Sequence, residues 1–253
     1  RLSQRFGAEF SGPESAVSQE KSEAIVLRKV DFGETSGIVT FLSPERGKLA
    51  CLAKGLKRKN SAMAGALDTF NRVELVYFWK DGRGVQNLAE ATVLGTYAGL
   101  KQDLERVTHA SFLLEICLRA ANENEPSHGM YARLLEALDG YTQVEATPRA
   151  WTALQAHSLL CETGHAPELT VCADTGAPPE AAHWFSFSHG LAEKIGDRRL
   201  SAAMRAVLME MAEHEVPPPA AASDEAFWLL AGFASRQLET DFRSVRVIRQ
   251  MFD

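Results

Sequence analysis

Lys54, Lys57, Arg58 and Lys59 fall within one short stretch, AKGLKRKNSAM (53–63), of a 253-residue chain whose formal net charge is −6. The chemistry open to such a cluster is not covalent. Ammonium and guanidinium groups at this density bind phosphate-bearing polyanions by charge. Gly55, Asn60 and Ser61 favour an exposed, mobile connection, so these cations can meet a polyanion at little desolvation cost. Lys48 shares strand parity with Lys54 and extends the charge onto one face of the preceding segment. Contacts from Lys48, Lys54, Lys57, Arg58 and Lys59 to single-stranded phosphates predict a log–log salt slope of about −3.5. Composition alone equally fits a solvated loop that aids solubility.

Signatures of covalent chemistry are mostly absent. Gly47-Lys48 is preceded by Leu42 where a phosphate-binding P-loop needs its first glycine. Neither G-x-G-x-x-G nor a G-x-S-x-G elbow occurs. His157 shares an apolar helical face with Ala150, Ala153, Leu154 and Leu160, which predicts a core histidine rather than a base. Cys161, His165, Cys172, His183 and His189 gather in one region, but zinc prefers close ligand pairs, and after Cys172 the second position of a C-x-x-C knuckle is Thr175. No metal and no cofactor are expected.

The segment that positions the cations reads as strands. AIVLRKV (24–30), GIVTFLS (37–43), KLACLAK (48–54), RVELVYFWK (72–80) and VQNLAEATVLG (85–95) alternate and are broken by turns such as PERG and DGRG. Val73, Leu75, Tyr77 and Trp79 make one apolar face. Phe78, of the opposite parity, is either a stacking platform for bases or a packing residue under helices. Five short strands predict a closed OB-type barrel over residues 23–98.

Beyond about residue 100 the period becomes helical. Leu104, Val107, Ser111, Leu114 and Leu118 mark one helix, SHGMYARLLEALDGY (127–141) a second ending near Gly140, and Thr147-Pro148 opens a third. Residues 164–198 follow neither period and read as an irregular insertion. Helices resume with Leu200, stop before VPPPAAAS (216–223) and restart at Phe227. The fold class expected is α+β: a tail over 1–22, the barrel, then a helical domain over 99–253 carrying the insertion.

Charge divides along the same line. Residues 21–83 carry twelve Lys/Arg against seven Asp/Glu, whereas residues 84–253 carry thirteen against twenty-three. The basic character is thus confined to the strand-rich half. The four cysteines are scattered, which favours a reducing cytoplasm. The N-terminal stretch has no hydrophobic core of a secretory signal, and no apolar run reaches the roughly 20 residues of a membrane span.

The stretch 24–61 resembles the RecO family of bacterial recombination mediators. The likeness rests on Ile25-Val26-Leu27-Arg28, Gly33-Glu34, Ser36, Gly47-Lys48, Ala53-Lys54-Gly55, Lys57-Arg58 and Ser61, and continues more diffusely through GHAPELTVC (164–172) and FRSVRVIRQM (242–251). It implies an OB domain joined to a helical domain, with Arg28 and the cations above on DNA. It also implies a cytoplasmic, nucleoid-associated protein without covalent catalysis that binds single- and double-stranded DNA and anneals complementary strands. The implied partners are the acidic C-terminal tail of single-stranded DNA-binding protein, RecR, in some pathways RecF, and RecA, which RecR helps to load. The insertion departs from the family pattern: Thr175 stands in one cysteine position, and Leu191, Ala192 and Glu193 stand where a second pair belongs. A different class of reading, a protein-interaction scaffold with little DNA affinity, draws on the acidity after residue 83.

Overall fold

A computed structural model describes residues 17–61 and 63–252. Five strands, β1 (Ser18–Phe32), β2 (Ser36–Ser43), β3 (Gly47–Ala53), β4 (Arg72–Trp79) and β5 (Gln86–Gly95), close into a barrel of order β1-β2-β3-β5-β4. Neighbours are antiparallel except β3 and β5, which pair in parallel through Cys51 with Gln86 and Leu52 with Asn87. The long β1 serves two neighbours, pairing β4 through its first half and β2 through its second.

The tail expected over 1–22 lies outside the described residues as far as position 16, but from Ser18 the chain is already strand. Apolar periodicity misses this stretch because its inward side chains are polar and paired. Glu20 accepts from Arg46 Nη2 at 2.6 Å and from Tyr77 Oη at 2.9 Å. Ser22 Oγ donates to Glu45 at 2.6 Å and shares a 2.8 Å hydrogen bond with Ser43. Buried polar groups that find partners cost little, so the strand needs no hydrophobic alternation there.

Ala24, Ile25, Val26 and Leu27 are buried in succession, which a strand achieves only when both of its faces are covered. Ala24 and Val26 enter the barrel core with Phe41, Leu49, Leu75 and Tyr77. Ile25 and Leu27 join Leu42 and Phe70 in a second core that is shared with the helices.

That second core is built by α1 (Ala98–Lys101), α2 (Leu104–Ala120), α3 (His128–Gln143), α4 (Pro148–Glu162), α5 (Ala202–His214), α6 (Ser223–Gln237) and α7 (Arg243–Phe252). Every residue of α4 from Arg149 to Leu160 is buried, His157 among them, as expected of a core histidine. Its start follows the threonine cap: Thr147 Oγ1 accepts from the Ala150 amide at 3.1 Å. Helix α3 passes the expected stop at Gly140 and runs to Gln143. Gly140 is there for packing, since an added Cβ would run into the Trp151 ring.

The insertion is more ordered than its missing period implies. Short strands β6 (Trp184–Ser186), β7 (Gly190–Ala192) and β8 (Arg198–Arg199) form a sheet of order β7-β6-β8, and Phe185 and Leu191 are fully buried. Strands of two or three residues are too short to show alternation in sequence. Among the described residues, no helix is long and apolar enough to cross a membrane.

Candidate nucleic-acid interface

The basic stretch leaves the end of β3 and returns to β4 through residues 54–71. Lys54 lies just past the strand, exposed, as are Lys57, Arg58 and Lys59. The connection is not the loose loop that its composition suggests. Leu56, Ala66 and Leu67 are buried and belong to the barrel core, so the segment plugs one end of the barrel and displays its cations outward. Successive turns hold it, with Arg58 N donating to Gly55 O at 3.1 Å and Ser61 N to Arg58 O at 3.0 Å. Gly55 at φ +71° supplies the left-handed turn, and Lys57 N donates to Thr35 O in the β1–β2 hairpin at 2.9 Å.

Arg28 owes its position to a defect in β1. Strict alternation from Ala24 and Val26 would turn Arg28 into the barrel. Between Val26 and Arg28 the register shifts, so that Val26 pairs with Phe41 but Arg28 with Thr40. A bulge of this kind inserts one unpaired residue and re-aims the next side chain. Arg28 therefore shares an outer row with Thr40 and its partner Ala50, beside Lys48.

That row lines a cleft of about 950 Å³ between the barrel and the helices. Five cations reach it: Arg28, Lys29, Lys48, Arg119 and Arg243. Lys29 is paired with Asp68 at 3.1 Å, and Lys48 Nζ donates to Leu118 O, in the last turn of α2, at 3.3 Å. Arg28, Arg119 and Arg243 have no side-chain hydrogen bond or ion pair among the described residues. Three of the cleft's four carboxylates are engaged: Asp31 with Lys57 at 3.0 Å, Glu115 with Ser244 Oγ at 3.0 Å, and Asp241 with Arg246 at 3.0 Å. Only Asp31 and Asp241 are ion-paired, so the lining carries five cations against four carboxylates, a small positive excess.

The expected residues thus form two groups that share Asp31. Arg28 and Lys48 lie in the cleft, Lys54, Lys57, Arg58 and Lys59 on the plug, and the Lys57–Asp31 pair joins the two. Sequence reading passed over Arg119 and Arg243, because nothing in their local spacing reveals that α2 and α7 bring them to the barrel. It also passed over Phe32, which is 53% exposed at the hairpin against which the plug rests. Phe78 is exposed on β4, outside the core shared with the helices, and does not line the cleft.

The remaining candidate chemistry does not assemble. Cys161 Sγ stands 3.8 Å from both ring nitrogens of His157. Burial pushes the thiol up and the imidazole down, the opposite of a thiolate–imidazolium pair. Burial likewise holds Cys51 up at about 12 and His109 down at about 4. The insertion does not fit a zinc ion. Thr175 Oγ1 donates to Glu193 at 2.8 Å, which joins the two departing positions to each other. Asp174 accepts from the Glu193 and Lys194 amides at 2.9 Å, and Cys172 is buried with its Sγ on Pro178 O at 3.4 Å. Among the described residues, no group of three or more His, Cys, Asp or Glu side chains could hold a metal.

Comparison with known proteins covers both halves. Residues 17–97 match the family model for the recombination protein O N terminal, and residues 101–246 that for its C terminal. A protein of Myxococcus xanthus named DNA repair protein RecO is 30% identical over 239 residues, 90% of this chain and 96% of its own. One of the same name from Exiguobacterium sibiricum is 33% identical over 171 residues, 68% of this chain and 67% of its own. Another from Heliobacterium modesticaldum is 29% identical over 181 residues, 70% and 64% respectively.

Proposed function

The chain belongs to the RecO family of DNA repair proteins, and from that premise we propose that it is a non-catalytic recombination mediator that binds single- and double-stranded DNA and anneals complementary strands. The observation that carries this reading is the cationic surface around the barrel. Arg28 is turned outward by the bulge into a cleft whose cations outnumber its carboxylates five to four, and Lys54, Arg58 and Lys59 stand without ion partners among the described residues on a plug fixed to the barrel core. A preordered cationic surface loses little entropy when it meets a phosphate backbone. The strand order, with its parallel β3–β5 closure, supports assigning the barrel to the OB type, in which the β2–β3 face and adjoining loops carry the nucleic acid. Thr40, Lys48 and Ala50 of the cleft lie on that face.

The family premise extends the proposal to partners: the acidic tail of single-stranded DNA-binding protein, RecR, and through them RecF and RecA, at the nucleoid in the cytoplasm. Strand annealing measured with and without single-stranded DNA-binding protein tests DNA binding and tail recognition together. Acceleration in both conditions is the expected result. Absence of saturable oligonucleotide binding at moderate salt would leave the interaction scaffold in its place, a reading supported by the excess of ten negative charges over residues 84–253.

A further inference from the structure

The two walls of the cleft come from different halves of the molecule. Arg28 and Lys48 belong to the barrel, whereas Arg119 lies near the end of α2 and Arg243 opens α7. Both arginines are exposed, and neither has an ion partner among the described residues, although their half of the chain is rich in carboxylates. The cleft holds five cations, counting Lys29, against four carboxylates, and a polyanion entering it would meet guanidinium groups without ion partners among the described residues on both walls: Arg28 on one, Arg119 and Arg243 on the other. Of the acids on that wall, Asp241 pairs with Arg246 and Glu115 accepts from Ser244 Oγ, whereas Glu123 has no side-chain partner among the described residues. About 950 Å³ of open space, with Ala50 and Leu118 half-buried along it, is too much for one phosphate ion and offers apolar contact beside the charge.

We propose that the helical half completes the single-strand site: the phosphate backbone runs between barrel and helices, with Arg119 and Arg243 contacting it from the side opposite Arg28. The proposal rests on the reading of the chain as a DNA binder and gives its acidic half a direct share in the binding.

The test is a salt titration of the full chain with a labelled oligothymidylate of about 16 nucleotides, the upper end of what one OB fold covers. Arg119→Gln with Arg243→Gln is expected to weaken binding roughly tenfold at low salt and to lower the log–log slope by about 1.4, near 0.7 for each lost contact. Lysine at both positions is expected to keep the slope. If the glutamine pair leaves affinity and slope unchanged while alanine at Lys54, Arg58 and Lys59 lowers both, the helical wall is not part of the path and DNA binding itself stands. If the unaltered chain shows no saturable binding, the DNA-binding reading falls and this inference with it. Competition by inorganic phosphate at equal phosphate concentration would show a site for isolated anions and overturn the strand path.

Discussion

Glu23 sits where the barrel meets the helices and binds both. Its Oε2 accepts from Arg72 Nε at 3.1 Å and from Tyr131 Oη of α3 at 3.2 Å. The hydrogen bonds from Arg72 hold this carboxyl below the usual carboxylate range. Because the unfolded value is about 4.3 and the folded one lower, the stabilisation is complete above that pH and is lost as pH falls through the folded value. Glu23→Gln is therefore expected to cost about 0.5–1 kcal/mol at neutral pH, a modest figure for a group 43% exposed, and the difference from the parent should close only as pH falls below the folded value. Denaturant unfolding of both proteins across that range measures it. At this scale the sequence is legible for charge and mute on direction. Arg28 was readable as a cation, but strict alternation points it into the barrel, and only the bulge, a property of two strands in register, turns it out.

Elements were legible where their interior is apolar. The second to fifth strands emerge from alternation because Val39, Phe41, Leu49, Cys51, Leu75 and Tyr77 face one core. The start of β1 escaped because Glu20 and Ser22 face inward with hydrogen-bond partners in place of apolar contacts. The plug escaped for another reason: Leu56, Ala66 and Leu67 enter the core from successive turns and follow no period. In the insertion, side chains do the fastening that a metal knuckle would do. Asp174 accepts two amides across the fold, and those amides hold its carboxyl below the ordinary range. Asp174→Ala is expected to speed hydrogen exchange at the Glu193 and Lys194 amides well above the parent rate while leaving the barrel amides protected; equal exchange at 193 and 194 would show that Asp174 fastens nothing.

For the whole molecule, one junction decides whether barrel and helices act together. Gly47 adopts φ +58°, and a Cβ there would run into the carbonyl oxygens of Asn122 and Glu125. Beside it Lys48 N donates to Asn122 O at 2.9 Å, and Ser127 N donates to Pro44 O at 2.8 Å. Gly47→Ala thus combines a left-handed backbone with a steric clash and is expected to cost about 3 kcal/mol, read as a lowered unfolding midpoint. The turn itself is legible as PERG, but the reason its glycine must stay bare lies about 75 residues away, in the connection between α2 and α3. The division of charge, with twelve cations against seven carboxylates over residues 21–83, was plain in the sequence, and the fold converts it into a basic barrel facing a cleft. The central claim is that this barrel surface binds the phosphate backbone, and a salt titration of single-stranded oligonucleotide binding tests it most directly. Alanine at Lys54, Lys57, Arg58 and Lys59 together should weaken binding and flatten the log–log slope by about 2.8 relative to the parent. An unchanged slope and affinity would contradict it.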